Sequence, residues 1–154
     1  MTPPSLGPRT IGRPTFVLGL LVFCGAAIGT LARASLSDAV PHDDGSWPWA
    51  TFWINLVGSF VLGALLEALA LGGPDKGLRR QIRLGVGTGV LGGFTTYSTF
   101  VVDLDVMTRA GHLPLAAGYA AVSVIVGLAL AAAGMGLVGA LAGSEPLVED
   151  GDAA

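Results

Sequence analysis

The chain has 154 residues, of which 52% are hydrophobic, only 12% are charged and 24 are glycine, with a net charge of −3. That balance excludes an ordinary water-soluble domain of this size and offers no basic surface to nucleic acid. One cysteine, Cys24, and two histidines, His42 and His112, leave no material for a disulfide framework or a Cys/His metal cluster.

Charge is missing from four runs, 14–32, 45–66, 84–102 and 110–144. About 20 residues suffice for one bilayer crossing. The expected architecture is therefore an all-α membrane protein with four transmembrane helices, spanning 14–34, 50–71, 82–107 and 114–141. Residues 1–13, with Pro, Gly, Arg9 and Arg13, read as a disordered lead. Residues 143–154, with Glu145, Glu149, Asp150 and Asp152, read as an acidic disordered tail, leaving one transmembrane domain at 14–142.

In the first span, Gly25 and Gly29 stand four residues apart, a spacing that lets another helix come close. A cleaved signal peptide is the weaker reading, because the apolar run is long, contains three glycines and places Arg33 inside the supposed cleavage site. Arg33 either snorkels to the interface or attracts anions at a pore mouth. Cys24 reads as a packing residue. The following loop, from Ser35, holds Trp47, with Trp49 and Trp53 beyond it, an aromatic group suited to a membrane interface. His42 and His112 read as solvated loop residues.

The second span carries Asn55, whose carboxamide must find a partner in hydrocarbon, with Thr51 and Ser59 one turn away on the same face. It is either interhelical glue or part of a polar path. Glu67, near the end of this span, reads as interfacial. A turn-rich connection with Lys76, Arg79 and Arg80 leads to Arg83. Gly85, Gly89 and Gly93 then share one face of the third span.

That span contains the sequence Gly92-Gly93-Phe94-Thr95-Thr96-Tyr97-Ser98-Thr99-Phe100, two leading glycines and five hydroxyls within an uncharged run. Polar insertions at this depth are costly unless they face protein, water or an ion. Two readings stand: a hydroxyl-rich packing face, or a helix broken at Gly92–Thr96 whose released carbonyls meet a cation while hydroxyls and ring edges line an ion path. Tyr97 and Phe100, three apart, stack if the following segment is helical. Asp103 and Asp105 close the span. In the fourth, Tyr119 and Ser123 place hydroxyls one turn apart.

The uncharged runs hold no acid, and there is no His-paired nucleophile or phosphate-cradling loop, so the chain reads as a non-enzyme. Its intramembrane chemistry consists of neutral donors: amide N–H, hydroxyls and the positive edges of aromatic rings. Donors without fixed cations suit a small, strongly hydrated anion that must also leave, and fluoride fits that description best.

The nonapeptide Gly92–Phe100 resembles the signature of the Fluc/CrcB family of fluoride-specific ion channels. Thr51–Phe60 resembles the family's second-helix pattern, and Gly25–Arg33 its first-helix pattern; the likeness extends over residues 16–141. The resemblance implies passive export of fluoride from the cytoplasm, which lowers its toxicity, through an antiparallel dimer with two pores and one structural, non-transported Na+ at its centre. It assigns the Na+ to the backbone carbonyls of Gly92 and Thr95. It assigns the fluoride pore to Asn55, Tyr97, Phe100, Tyr119 and Ser123, and a vestibule position to Arg33. Where the family commonly has Phe, this chain has Tyr97, whose extra hydroxyl puts the equivalence of two pores in doubt. Competing classes are a small four-span proton-coupled exporter, which needs an intramembrane carboxylate, and a structural membrane subunit.

With four spans, Arg9, Arg13, Lys76, Arg79, Arg80 and Arg83 fall on one side and Arg33 and Arg109 on the other. This bias places both termini in the cytoplasm of a plasma membrane for most copies. An antiparallel homodimer requires equal numbers of both orientations, so the bias favours pairing with a paralogue of opposite topology. A cysteine added after Ala154, in a Cys24→Ala background, should be protected from impermeant label in most copies in intact cells. A near-equal split, with full activity of the chain alone, would establish a homodimer instead.

Overall fold

The computed structural model describes residues 13–43 and 45–143, and all its regular elements there are helical. The expected disordered lead and acidic tail lie outside the described residues, apart from Arg13 and Gly143. α1 runs Arg13–Ala39, α2 Trp49–Leu71 and α3 Gly77–Ile82. A π-helical stretch, Arg83–Leu91, continues directly into the one-turn α4, Gly92–Phe94. After Thr95 and Thr96 come α5, Tyr97–Arg109, and α6, Leu113–Gly143.

Three helices are long and apolar enough to cross a membrane: Thr15–Ala39 of α1, α2 and α6, with 25, 23 and 31 residues. The fourth member of the bundle is segmented. Its π-helical stretch and α4 pack on α1, whereas α5 packs on α6, and α2 and α6 form the broadest helix pair. The chain thus folds as two helical pairs joined through α2.

Glycine is what brings these pairs together. A Cβ on Gly29 would collide with the Val90 carbonyl, and one on Gly25 with that of Gly85, so α1 and the π-helical stretch meet backbone to backbone. Gly134 of α6 would strike the Phe60 carbonyl of α2, and Gly63 of α2 the Ala131 carbonyl of α6. Such contacts replace the hydrophobic effect, which does not separate apolar side chains from apolar lipid tails.

Several expectations need correction. α1 runs beyond the expected span 14–34 through Ala39, with the Ser35 hydroxyl donating to the Leu31 carbonyl one turn back at 3.0 Å. Cys24 faces outward instead of packing inside. The third segment is wound with i→i+5 bonding over nine residues, where an ordinary α-helix was expected. Gly85, Gly87 and Gly89 lower the steric demand of those wider turns, and the close approach of α1 supplies the contacts that compensate for them.

Trp49 and Trp53 face outward, as a membrane-interface pair does. Trp47 instead turns inward, its ring 5.2 Å from Tyr119 and 5.3 Å from Phe52, both edge-on. Phe52, Leu56, Met107, Ala116 and Tyr119 complete this core at the α1–α2 loop end of the bundle.

The Gly134 contact yields a direct test. Gly134→Ala should destabilise the detergent-purified protein by about 1–3 kcal/mol through overpacking. Gly136→Ala meets nothing within 4 Å and should be neutral or slightly stabilising in the same thermal-unfolding measurement.

Candidate functional site

The chain leaves helical geometry at two residues, Thr95 (φ −73°, ψ 153°) and Thr96 (φ −143°, ψ 120°). The glycines before them stay right-handed helical: Gly92 has φ −66° and ψ −32°. Gly93 serves packing, because a Cβ there would collide with the Ala26 carbonyl of α1. The interruption thus falls at the C-terminal end of the expected range 92–96, and a side chain from another helix sustains it.

That side chain is Asn55. Its amide nitrogen donates to the Thr96 carbonyl at 3.0 Å, and its oxygen accepts the Thr96 N–H at 2.8 Å. One carboxamide satisfies both backbone groups of the extended residue, as a neighbouring peptide would. α5 then restarts with Thr96 as its cap, the threonine hydroxyl accepting the Thr99 N–H at 3.1 Å and donating to the Thr99 hydroxyl at 3.0 Å. Thr95 is tied back by its own hydroxyl, which donates to the Leu91 carbonyl at 2.9 Å.

These bonds decide which carbonyls are released. In an uninterrupted α-helix the Thr96 N–H would serve Gly92 and the Thr99 N–H would serve Thr95; here the first goes to Asn55 and the second to the Thr96 side chain. Gly92 and Thr95 thus lose their helical donors, and Gly92 is exposed on the single chain. Hard backbone oxygens are the ligand type a sodium ion takes, so the fit of these two residues to such an ion is chemically sound. The neighbouring Gly93 carbonyl is differently placed: it accepts from Arg33 Nε at 3.3 Å and from the Thr30 hydroxyl at 3.4 Å. Arg33 is thereby tethered to the peptide chain. It is anchored beside the interruption, on the α1 side.

On the other side, a recess of about 330 Å³ is lined by Asn55, Ser59, Thr95, Thr96, Phe100 and Ser123, with Tyr97 at its edge. Gly58 gives Thr95 its place there, since a Cβ at 58 would collide with the threonine methyl. The hydroxyls of Thr95 and Thr96 are committed, donating to the Leu91 carbonyl and the Thr99 hydroxyl. Donors not so committed include Ser123, whose Oγ is buried without a partner, and the second N–H of Asn55. No lysine or arginine lines this space.

Tyr97 and Phe100 lie 6.3 Å apart at a 36° tilt, with Tyr97 80% exposed. Tyr119 does not line the recess. It is completely buried behind Phe100, centroids 5.2 Å apart, with an unpartnered hydroxyl. The arrangement thus joins Asn55, Thr95, Tyr97, Phe100 and Ser123 around one space, holds Tyr119 in the wall behind it, and sets Arg33 on the opposite side.

Two residues escaped the sequence reading. Asp103, taken as a charge closing the span, is 7% exposed, and His42, taken as solvated, brings Nε2 to 3.8 Å from its carboxylate. The other carboxylate oxygen of Asp103 is buried without a hydrogen bond. The available signal was spacing: Phe100, Asp103 and Met107 follow an i, i+3, i+7 pattern, which puts the acid on the inward face of α5.

The fold and this recess define a multi-pass, all-helical membrane protein with a neutral, donor-lined site beside an interrupted segment. The chain belongs to the CrcB family: the model described as CrcB-like protein, Camphor Resistance (CrcB), matches residues 20–135. Among curated proteins it is 52% identical over 122 residues to "Fluoride-specific ion channel FluC 2" of Leifsonia xyli, covering 79% of this chain and 83% of that one. It is 47% identical over 115 residues to "Fluoride-specific ion channel FluC 1" of Cutibacterium acnes, covering 75% and 80% of the two chains. A third relative, "Fluoride-specific ion channel FluC 1" of Mycolicibacterium paratuberculosis, is 44% identical over 107 residues, covering 70% of this chain and 79% of its own.

The hydrogen bonds separate two kinds of site residue. Asn55→Ala strands the buried Thr96 N–H and carbonyl and should cost about 2–4 kcal/mol of thermal stability. Ser123→Ala removes a buried hydroxyl that has no partner and should leave stability unchanged or raised. Equal losses in the two variants, measured in detergent, would remove the distinction.

Proposed function

We propose that the chain is a fluoride-specific channel that lets the anion leave the cytoplasm passively across the plasma membrane. The observation that carries this reading is the recess at Asn55, Phe100 and Ser123, which offers uncommitted neutral donors and no fixed cation. The names of the relatives point to the same ion. A dehydrated fluoride would accept from the second N–H of Asn55 and from the Ser123 hydroxyl, while the ring edge of Phe100 contributes partial positive charge. Neutral donors compensate for lost water without holding the ion so tightly that it cannot leave. Tyr97, at the rim, adds a hydroxyl at the entrance, and Tyr119 fixes the position of Phe100 from behind. Arg33 influences the path through Gly93 and its charge.

The segment 77–109 is read as one crossing interrupted at Thr95 and Thr96. The functional unit is the antiparallel dimer that the family resemblance implies, and the exposed Gly92, whose carbonyl has lost its helical donor, lies on a face that a partner would cover. A second copy, or an oppositely oriented paralogue as the basic-residue bias favours, covers that face. Na+ bound at the interface by the Gly92 and Thr95 carbonyls would supply the positive charge those oxygens lack. The residues themselves do the rest: Asn55 keeps the carbonyls turned out of the helix, and the Thr95 hydroxyl anchors the turn to Leu91.

One observation favours a second reading, a proton-coupled exporter: Asp103 is a buried carboxylate that a proton carrier would need. Fluoride efflux from proteoliposomes separates the two. A channel gives fast efflux without a pH gradient, and Phe100→Ile or Ser123→Ala should slow it about tenfold or more, the value of a hydrogen bond to a charged group. Efflux that requires a pH gradient and is lost in Asp103→Asn would establish the carrier. Withdrawing sodium from both faces should reduce flux, whereas Thr95→Ala, which retains its carbonyl, should keep the sodium response better than a bulky residue at Gly92. Equal flux with and without sodium would refute the structural ion.

A further inference from the structure

At the end of the bundle away from the Trp47 core, the stretch from the turn after α2 through α3 to the start of the π-helical segment holds four basic residues, Lys76, Arg79, Arg80 and Arg83, against one carboxylate, Asp75. Their situations differ. Arg83 is matched: its Nη2 and Nε donate to Asp75 Oδ2 at 2.7 and 3.0 Å. These bonds, reinforced by its charge, hold the Asp75 carboxyl below its ordinary range, so this pair stays ionised and mutually satisfied at neutral pH. Lys76 and Arg80 are exposed.

Arg79 is neither matched nor free in water. It is half-buried and makes no ion pair with any described residue, and its guanidinium is folded onto the Gly72–Gly73 turn. A Cβ on Gly72 would lie 2.7 Å from its Nε, and one on Gly73 3.0 Å from Nη1. Gly73, at φ +108°, gives the backbone the left-handed bend that makes the turn. A planar cation with five donors, drawn partly out of water and left without an acceptor, calls for an anion.

The guanidinium lines a hollow of about 200 Å³ together with Asp75, Arg83 and an apolar part made by Leu66, Leu69 and Ala70 near the C-terminus of α2. On α3, Leu78 is 68% exposed, next to Arg79, as in a segment lying flat at a membrane surface. An anion at Arg79 would therefore sit where the apolar span ends, with hydrocarbon-compatible surface on the side facing the bilayer. A wholly water-soluble anion has no use for that apolar part.

We infer that Arg79 and the hollow beside it form a binding site for the phosphodiester of an anionic phospholipid, with the acyl chains lying along Leu66 and Leu69. The guanidinium takes two phosphate oxygens through its fork. The Asp75–Arg83 pair bounds the site and, being neutral as a pair, contributes little attraction.

The test uses the detergent-purified full chain, with retained lipid read by native mass spectrometry. Dioleoylphosphatidylglycerol should be retained in preference to dioleoylphosphatidylcholine, and Arg79→Gln should reduce that preference about five- to tenfold. Arg80→Gln, which removes an equal charge from the same short helix, should change it less than about twofold. Gly72→Ala keeps every charge but displaces the guanidinium, and should act like Arg79→Gln even if the latter folds poorly. Equal losses from Arg79→Gln and Arg80→Gln would reduce the effect to diffuse surface charge and overturn the site. Millimolar inorganic phosphate that displaced the lipid completely would identify a free-phosphate site and overturn the lipid assignment.

Discussion

The pairing of Asn55 with Thr96 is the constraint on which the site depends. A peptide group taken out of a helix inside a bilayer loses both partners at once and finds no water to replace them, a cost of several kcal/mol per group. A carboxamide is the side chain that answers both needs, because it carries a donor and an acceptor at the spacing of a peptide. At 2.8 and 3.0 Å both bonds are well formed. Once Thr96 is held in this way, the Gly92 carbonyl loses its donor, the Thr96 hydroxyl becomes free to cap α5, and that cap in turn releases Thr95. Phe100 and Asp103 take their positions from where α5 restarts.

The two sides of this interruption are chemically unlike. α1 reaches it through glycine contacts that let backbones touch, and delivers Arg33 to the Gly93 carbonyl. α2 and α6 reach it through Asn55, Ser59 and Ser123, all neutral. Positive charge is thus kept behind the peptide chain and away from the recess. A guanidinium placed directly in the recess would bind a small anion strongly and hinder its departure, so this separation suits passage better than storage.

Much of this was legible in the sequence because hydrocarbon imposes strict rules. Runs without charge located the helices, and a lone carboxamide with a hydroxyl-rich insert located the residues that now surround one recess. The misreadings share a different cause. Asp103 lies at the end of an uncharged run, where a charge normally meets water, and only the i, i+3, i+7 register with Phe100 and Met107 marks it as inward-facing. His42 depends on the path of an irregular loop, which periodicity does not describe. The π-helical winding of Arg83–Leu91 arises from the approach of α1, a tertiary contact that overrides local preference. The departure from helix lies at Thr95 and Thr96, inside the expected range 92–96, but its support was not legible locally: it comes from an asparagine 41 residues away from Thr96.

Four buried polar atoms lack hydrogen bonds among the described residues: Trp47 Nε1, Asp103 Oδ2, Tyr119 Oη and Ser123 Oγ. Each costs on the order of 1–3 kcal/mol relative to a satisfied group, and native folds tolerate few of them. Chance would scatter such defects over the bundle. Here Tyr119 and Ser123 are one turn apart on α6, Trp47 packs edge-on against the Tyr119 ring, and Asp103 faces inward from α5, which packs on the same helix. Elsewhere the same chain satisfies its polar groups closely, as Asn55 and Thr96 show, so poor packing is not a general property of this fold. Of the four, Ser123 lines the recess, where a hydroxyl not committed to the protein can meet a transient guest without first breaking a bond. The cost of these unpaired atoms contrasts with the close pairing of Asn55 and Thr96 at the interruption.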